Sequence, residues 1–505
     1  MNANLYARIR SAMPRPDKTF IETDTGRRLN YGDIHALSGR YANALEEFDV
    51  VPGDRVAVQV EKSPEALILY LACLRAGAVY LPLNTAYTES EVDYFVADAQ
   101  PSLVVCDPAR QAGIAEIARE HGVGHVATLD AAGAGTLAER AAAEDSDHVD
   151  AERAGNDLAA ILYTSGTTGR SKGAMLTHDN LASNAAVLVD YWRFTANDVL
   201  LHALPIYHTH GLFVASNVML LAGGSMLFLP KFDAEEAIRL LPRATAMMGV
   251  PTFYTRLLAH PGFTREGAAH MRLFISGSAP LLAETHAEFK ARTGHAILER
   301  YGMTETGMNS SNPYEGERIA GTVGFPLPGV EIRIADPDTG AILGVGEIGI
   351  LEVRGPNVCK GYWRMPEKTA EEFRDGGFFI TGDVGMVDEK GYVHIVGRAK
   401  DLIISGGFNV YPKEVETLID ALPGVAESAV IGVPHPDFGE GVAAVVVRRG
   451  NTEIEEADIL ASLRGRIAKF KQPKRVFVVD SLPRNSMGKV QKNVLRERYA
   501  DIFSG

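Results

Sequence analysis

The sequence is short of cysteine, of long apolar runs and of surplus positive charge, and each shortage removes a class of function. Three cysteines in 505 residues, Cys73, Cys106 and Cys359, lie far apart and form no metal or redox pair motif, which fits a reducing compartment. No segment is apolar for long enough to span a bilayer. Residues 1–18 carry Arg8, Arg10, Arg15 and prolines but no apolar core of a secretory signal, so a cytoplasmic location is expected. A formal net charge of −14 speaks against nucleic acid or a membrane surface as a partner. An anionic ligand therefore has to be met by local basic residues. There is no internal repeat, coiled coil or low-complexity tail. What is present is an ordinary globular composition, 46% hydrophobic and 23% charged, in a chain long enough for about two to four domains.

Strand-like and helix-like segments alternate through the first part of the chain. Val56 to Val60 reads as a strand and Pro64 to Arg75 as a helix, with Ser63 as N-cap, Pro64 in the first turn and Gly77 at the end. Ser102 to Cys106, Val199 to Leu204, Ser225 to Leu229, Ala246 to Val250 and Leu273 to Ser276 read as further strands. From about Gly321 the strands become short and turn-separated. After Gly397-Arg398-Ala399-Lys400-Asp401 a helix opens at Tyr411-Pro412, among strands at Ser428 to Val433, Gly441 to Val447 and Arg475 to Val479. The expected fold class is α/β: a large N-terminal domain of layered α/β subdomains plus a β-rich subdomain, over residues 1–398, and a small mobile α+β C-terminal domain, over residues 399–505.

The chemistry-bearing segment that stands out is Tyr163-Thr164-Ser165-Gly166-Thr167-Thr168-Gly169-Arg170-Ser171-Lys172-Gly173. It follows the apolar strand-like run Leu158 to Leu162 and precedes an apolar, helix-like segment. Glycines let backbone approach a ligand, and N–H groups, hydroxyls and a lysine suit a polyphosphate. The order is not Walker A, because Ser171 precedes the lysine and Gly173 follows it. A solvated linker is the plain alternative.

Four more clusters accompany it. Glu299-Arg300-Tyr301-Gly302-Met303-Thr304-Glu305-Thr306 reads as a polar turn, with Glu305 a reasonable magnesium ligand, Thr304 a phosphate donor and Tyr301 an aromatic face for a base. Asp383, after Thr381-Gly382, has the chemistry to accept both hydroxyls of a ribose. Arg398 and Lys400 lie at the domain boundary, and Lys489 follows Gly488 near the C-terminus. Taken singly, each has a bland reading as a turn, a helix cap or a solvated loop.

Together and in this order they resemble the adenylate-forming superfamily of acyl-CoA synthetases, luciferases and peptide-synthetase adenylation domains, over nearly the whole chain. The resemblance implies two steps: a carboxylate attacks the α-phosphorus of ATP, and the thiol of CoA then displaces AMP. It assigns Thr164, Ser165, Gly166, Thr167, Thr168, Gly169 and Lys172 to the β- and γ-phosphates. Thr304 and Glu305 fall to the α-phosphate and Mg²⁺, and Asp383 and Arg398 to the nucleotide. Ser278, Ala279, Glu299 and Tyr301 are taken with the cofactor side. Lys489 matches the lysine bridging carboxylate and α-phosphate. Lys400 matches the hinge, and Gly406 and Gly407 belong to the loop that rotation brings to the thioester site. A lysine acetyltransferase acting on Lys489 is a candidate partner.

The acid is read from arginines. The acyl-pocket segments of the superfamily match His208 to Gly211, Gly249 to Arg256, Ser276 to Ala279 and the turn at Arg300. Arg256 and Arg300, with the Ser278 hydroxyl, imply an acid with a second carboxylate, since a buried arginine needs an anion and can grip one with two hydrogen bonds. Each arginine has the structural alternative of pairing with a protein carboxylate. The pattern is similar to malonyl-CoA synthetases. Malonate or methylmalonate is the expected acid, with another short carboxylic acid or a carrier-protein acceptor as alternatives. A non-enzymatic adenylate-binding protein is a competing class, against which the intact Lys489, Glu305 and phosphate loop speak. Thr209 and Met308 are placed beside the α-carbon. His202, His208 and His210 lack a fourth ligand for a metal, and His208 is read as a gate.

Overall fold

The computed structural model describes residues 2–164, 171–337, 339–406, 408–450, 452–464, 466–485 and 488–503. Two large sheets carry the first part of the chain. One has six strands in the order His125–Thr128, Leu103–Cys106, Arg55–Gln59, Val79–Pro82, Leu158–Thr164 and Lys172–Thr177. These pair in parallel up to Leu158–Thr164, which turns back antiparallel onto Lys172–Thr177. The residues after the glycine-rich loop are thus a strand first. The expected helix starts only at His178.

The other sheet has nine strands, with Leu298–Met303, Leu273–Ser276, Ala246–Gly249, Val199–His202, Ser225–Phe228 and Thr19–Thr23 parallel in its middle. Packed in the largest core is the helix Pro64–Ala76. All thirteen of its residues are buried, as its nearly continuous apolar sequence requires. Ser63 caps its start by accepting from Ala66 N–H, and Gly77 ends it at φ +72, a conformation glycine takes at no steric cost.

A four-stranded antiparallel sheet follows, Glu331–Ala335, Gly349–Arg354, Phe379–Val387 and Val393–Arg398. From Ile403 the chain forms its own five-stranded sheet, with a core that includes Val430, Val442, Val446 and Ile459. This small unit touches the large one at Arg449, whose two terminal nitrogens both pair with the Glu284 carboxylate. It touches again at Gly488, where an added Cβ would lie 3.5 Å from Thr252 Oγ1. No helix among the described residues is long and apolar enough to cross a membrane.

Candidate active site

Parallel strands present their carboxyl ends to a common crevice, which is where α/β sheets bind ligands. Here the ends of Val199–His202, Ala246–Gly249 and Leu273–Ser276, with the neighbouring strand Leu298–Met303, supply the candidate residues. The polar stretch after Leu298 is a strand as far as Met303, and only Thr304-Glu305-Thr306 forms the turn that folds it back onto Gly307–Ser311, with Arg300 opposite Ser311. Tertiary pairing overrides the weak strand propensity of Glu299 to Gly302.

On the nucleotide side, Thr164 Oγ1 and Tyr362 OH both donate to Glu305 Oε1 at 3.2 Å. Glu305 is buried, and that burial raises its carboxyl above the usual range, with Lys172 and these hydrogen bonds opposing. Lys172 donates to Glu372 Oε1 at 2.9 Å and lies 4.2 Å from the centre of the Tyr362 ring. Ser165, Gly166, Thr167, Thr168, Gly169 and Arg170 lie outside the described residues. Asp383 is buried and receives the Tyr301 hydroxyl at 2.5 Å, with Arg398 Nε at 3.3 Å. Asp383 N–H donates to Thr381 Oγ1 at 3.0 Å, and Asp383 is register partner to Arg398 across the sheet.

Lys489 reaches this group from the small unit. It is half-buried, and its ammonium is pushed down to about 8 by desolvation and then by Arg398 and Arg300, with Asp383 and Glu305 pulling the other way. Thr304 is half-exposed beside it in sequence to Glu305.

The acid side is built on Arg300. Its side chain is only 4% exposed, and its Nε and Nη2 have no hydrogen-bond partner among the described residues. No carboxylate acts on it among the described residues; burial, offset in part by Tyr254, lowers it to about 9. Its guanidinium lies against Gly277, where a Cβ would come within 2.3 Å of Cζ. Ser278 follows in the left-handed region at φ +69, and its hydroxyl lies 3.2 Å from His210 Nδ1. His208 is driven down to about 3 by burial, Lys489 and Arg300, so its imidazole is neutral. Thr209 and Met308 are both buried, and Thr209 Oγ1 has no hydrogen-bond partner among the described residues. No group of three or more histidine, cysteine or carboxylate side chains could hold a metal among the described residues.

Arg256 departs from expectation. It is exposed on the helix Pro251–Ala259, because Tyr254, Leu257 and Leu258 take the buried face. The single buried arginine of the expected pair is Arg300.

The remaining expected residues are spread along the rim. Ala279 is half-buried, and Glu299 is buried with its Oε1 accepting from Gly321 N–H at 3.2 Å. Burial raises Glu299 to about 8, with the Gly321 bond and Lys413 of the small unit opposing. Lys400 is exposed on the single turn Ala399–Asp401. Gly406 sits at φ +61 in the hairpin after Ile403–Ser405, its N–H bonded to Phe438 O, and Gly407 lies outside the described residues. Sequence reading missed Tyr362 and Glu372, and gave Gly277 and His210 no role of their own within the pocket segments. Gly277 lay inside a recognised segment, but nothing short-range ties Tyr362 or Glu372 to residues so far along the chain.

Comparison with known proteins agrees with this geometry. A model described as AMP-binding enzyme matches residues 9–363, and one described as AMP-binding enzyme C-terminal domain matches residues 414–489. The chain is 37% identical to a feruloyl-CoA synthase of an Amycolatopsis species, covering 97% of this chain and 98% of that one. It is 34% identical to a malonate–CoA ligase of Arabidopsis thaliana, covering 97% and 84% respectively. Among solved structures, ATP-bound MatB from Rhodopseudomonas palustris is 64% identical with TM-score 0.98, covering all of both chains. The apo MatB structure from that organism, at the same identity and coverage, gives 0.87. At equal identity and coverage, this chain is more similar in structure to the ATP-bound protein than to the apo one.

Proposed function

We propose malonate as the acid of this enzyme, from the premise that the chain belongs to the AMP-binding enzyme family and is an AMP-forming acyl-CoA synthetase. The observation that carries the choice is Arg300: a buried guanidinium with two unpartnered nitrogens beside the Ser278 hydroxyl. A ferulate-like or fatty acid brings no anion to such a group. A second carboxylate does, through two charge-assisted hydrogen bonds. Malonate–CoA ligase among the relatives supports this reading. Thr209 and Met308 border the carbon between the carboxylates, which makes methylmalonate the next acid to consider.

In the proposed reaction one malonate carboxylate oxygen attacks the α-phosphorus of ATP. The bond from that phosphorus to the bridging oxygen breaks and pyrophosphate leaves. Lys489 offsets the charge that builds on the phosphoryl oxygens. The CoA thiol then loses its proton and its sulfur bonds to the acyl carbon, and the acyl–phosphate bond breaks to release AMP. Asp383, held by Tyr301 and Thr381, takes the ribose, with Arg398 as a second nucleotide contact. Neutral His208 gates the acid without competing for it as a charge. Glu305 fits a Mg²⁺ ion. It is a buried carboxylate, and magnesium in such sites takes its other ligands from phosphate and water. The ion would neutralise phosphate charge. Residues 399–505 would swing about Lys400 between the two steps, and an acetyl group on Lys489 would block the first.

The test is pyrophosphate release with ATP, magnesium and CoA across malonate, methylmalonate, succinate, oxalate and acetate. Malonate should give the highest kcat/KM; a rate no better than that for acetate would sink the reading.

A further inference from the structure

Lys62 and His202 form a buried polar pair that the reaction leaves unused. Lys62 stands between the strand Arg55–Gln59 and the helix Pro64–Ala76, and His202 ends the strand Val199–His202. Both are buried. The Lys62 ammonium donates to His202 Nδ1 at 2.9 Å and to His202 O at 2.8 Å, and it lies 4.1 Å from the centre of the Phe228 ring. Those three contacts match its three N–H donors. No carboxylate acts on it among the described residues.

A carbonyl only accepts, so His202 Nε2, against Gly211 O, must carry the proton, and burial keeps the imidazole neutral, which leaves Nδ1 to accept from Lys62. That N–H points to Gly211 O at 2.9 Å, which also accepts from Ser216 Oγ at 2.9 Å. Gly211 belongs to the π-helical turn His210–Ser216. Such turns are rare and gather at functional sites. The turn is held closely: a Cβ on Gly211 would meet Pro205 O at 2.0 Å, and the N–H groups of Gly211 and Leu212 both donate to His208 O. His208 and Thr209 lead into this turn and His210 opens it; His210 Nδ1 meets the Ser278 hydroxyl, and Arg300 acts electrostatically on both histidines.

Stability alone is a poor reason for this pair. A buried cation without an anionic partner is costly, and two apolar residues of similar shape would pack there at little loss. We propose that Lys62 and His202 are positioning residues for acid binding: through the Gly211 carbonyl they fix the π-helical turn that presents His208, Thr209 and His210 to the acid. The inference rests on the reading of this crevice as the acid site.

The two can be separated in one experiment. Wild-type pyrophosphate exchange with each acid tests the choice of malonate. The ratio of variant to wild-type KM for whichever acid is turned over tests the positioning. His202→Asn keeps an acceptor for Lys62 but cannot reach Gly211, whereas His202→Gln reaches Gly211 with an amide N–H. The Asn variant should raise the acid KM about tenfold, the worth of one well-placed hydrogen bond, and the Gln variant should recover most of that loss. The double variant Lys62→Met/His202→Phe removes both polar partners together. It should unfold at the wild-type midpoint yet keep the raised acid KM, with the KM for ATP and the thioester rate from supplied acyl-adenylate unchanged. Equal acid KM for the Asn and Gln variants, or a rise in ATP KM in step with acid KM, would overturn the proposal.

Discussion

Two residues dominate at the smallest scale because each is a cation held where water is scarce. Lys489 is pushed down to about 8, so in the free enzyme its ammonium fades as pH rises through that value. The adenylation step needs the charged form, so its kcat/KM should be flat below about pH 7 and fall above about pH 8. Lys489→Arg should move the limb upward if the lysine is its source. A limb that stays put assigns it elsewhere. His208, at about 3, stays neutral across this range and contributes nothing to it. Arg300→Met keeps bulk and removes the charge. It should raise the malonate KM by roughly 10- to 100-fold, from the about 1.5–3 kcal/mol of a charged hydrogen bond, while the acetate KM moves little. Equal losses for both acids would make Arg300 a structural residue.

At the scale of elements, the loop after Leu273–Ser276 is shaped by what lies over it. Gly277 leaves room for the guanidinium and Ser278 turns the chain in the left-handed region. Gly277→Ala should displace Arg300 and raise the malonate KM without altering the KM for ATP. Malonate kinetics and the unfolding midpoint measured together separate this from general damage. The same elements show what a sequence can and cannot disclose. Asp383, Glu305 and Lys489 were legible because each sits in a short polar motif beside an apolar run. The exposure of Arg256 was overlooked although its signal is local: Tyr254, Leu257 and Leu258 mark the buried face of its helix at spacings of three and four. Arg300 was recognised, but its close fit to Gly277 was not, and neither Tyr362 on Glu305 nor Lys62 on His202 leaves a local trace. Such contacts join segments 57 and 140 residues apart and arise only when sheets are laid side by side. Strand formation at Glu299 to Gly302 was hidden for the same reason.

At the scale of the whole molecule, one of the contacts between the two units is strong in form. Arg449 grips Glu284 with both terminal nitrogens, although both side chains are about half exposed. An exposed pair is worth about 0–1 kcal/mol and weakens with salt. That is little for stability but enough to shift a two-state balance up to about fivefold. If the small unit must rotate between half-reactions, Arg449→Ala should slow adenylate formation and speed thioester formation from supplied acyl-adenylate. Glu284→Ala should do the same, and the double variant should add nothing further. Half-reaction rates that do not move in opposite directions would remove this contact from the control of the cycle.

The two guanidinium nitrogens of Arg300 that lack a partner among the described residues have a last consequence, for how the enzyme would tell acids apart. The fold already carries the desolvation of that cation before any substrate arrives, so recognition does not have to supply it. On the proposed reading, an acid with a second carboxylate would complete a half-made ion pair and offset that desolvation. A monocarboxylate fills similar space and leaves the cation as it found it. Discrimination of this kind works by withheld compensation: the wrong acid is not repelled, it simply fails to relieve a tension built into the resting protein.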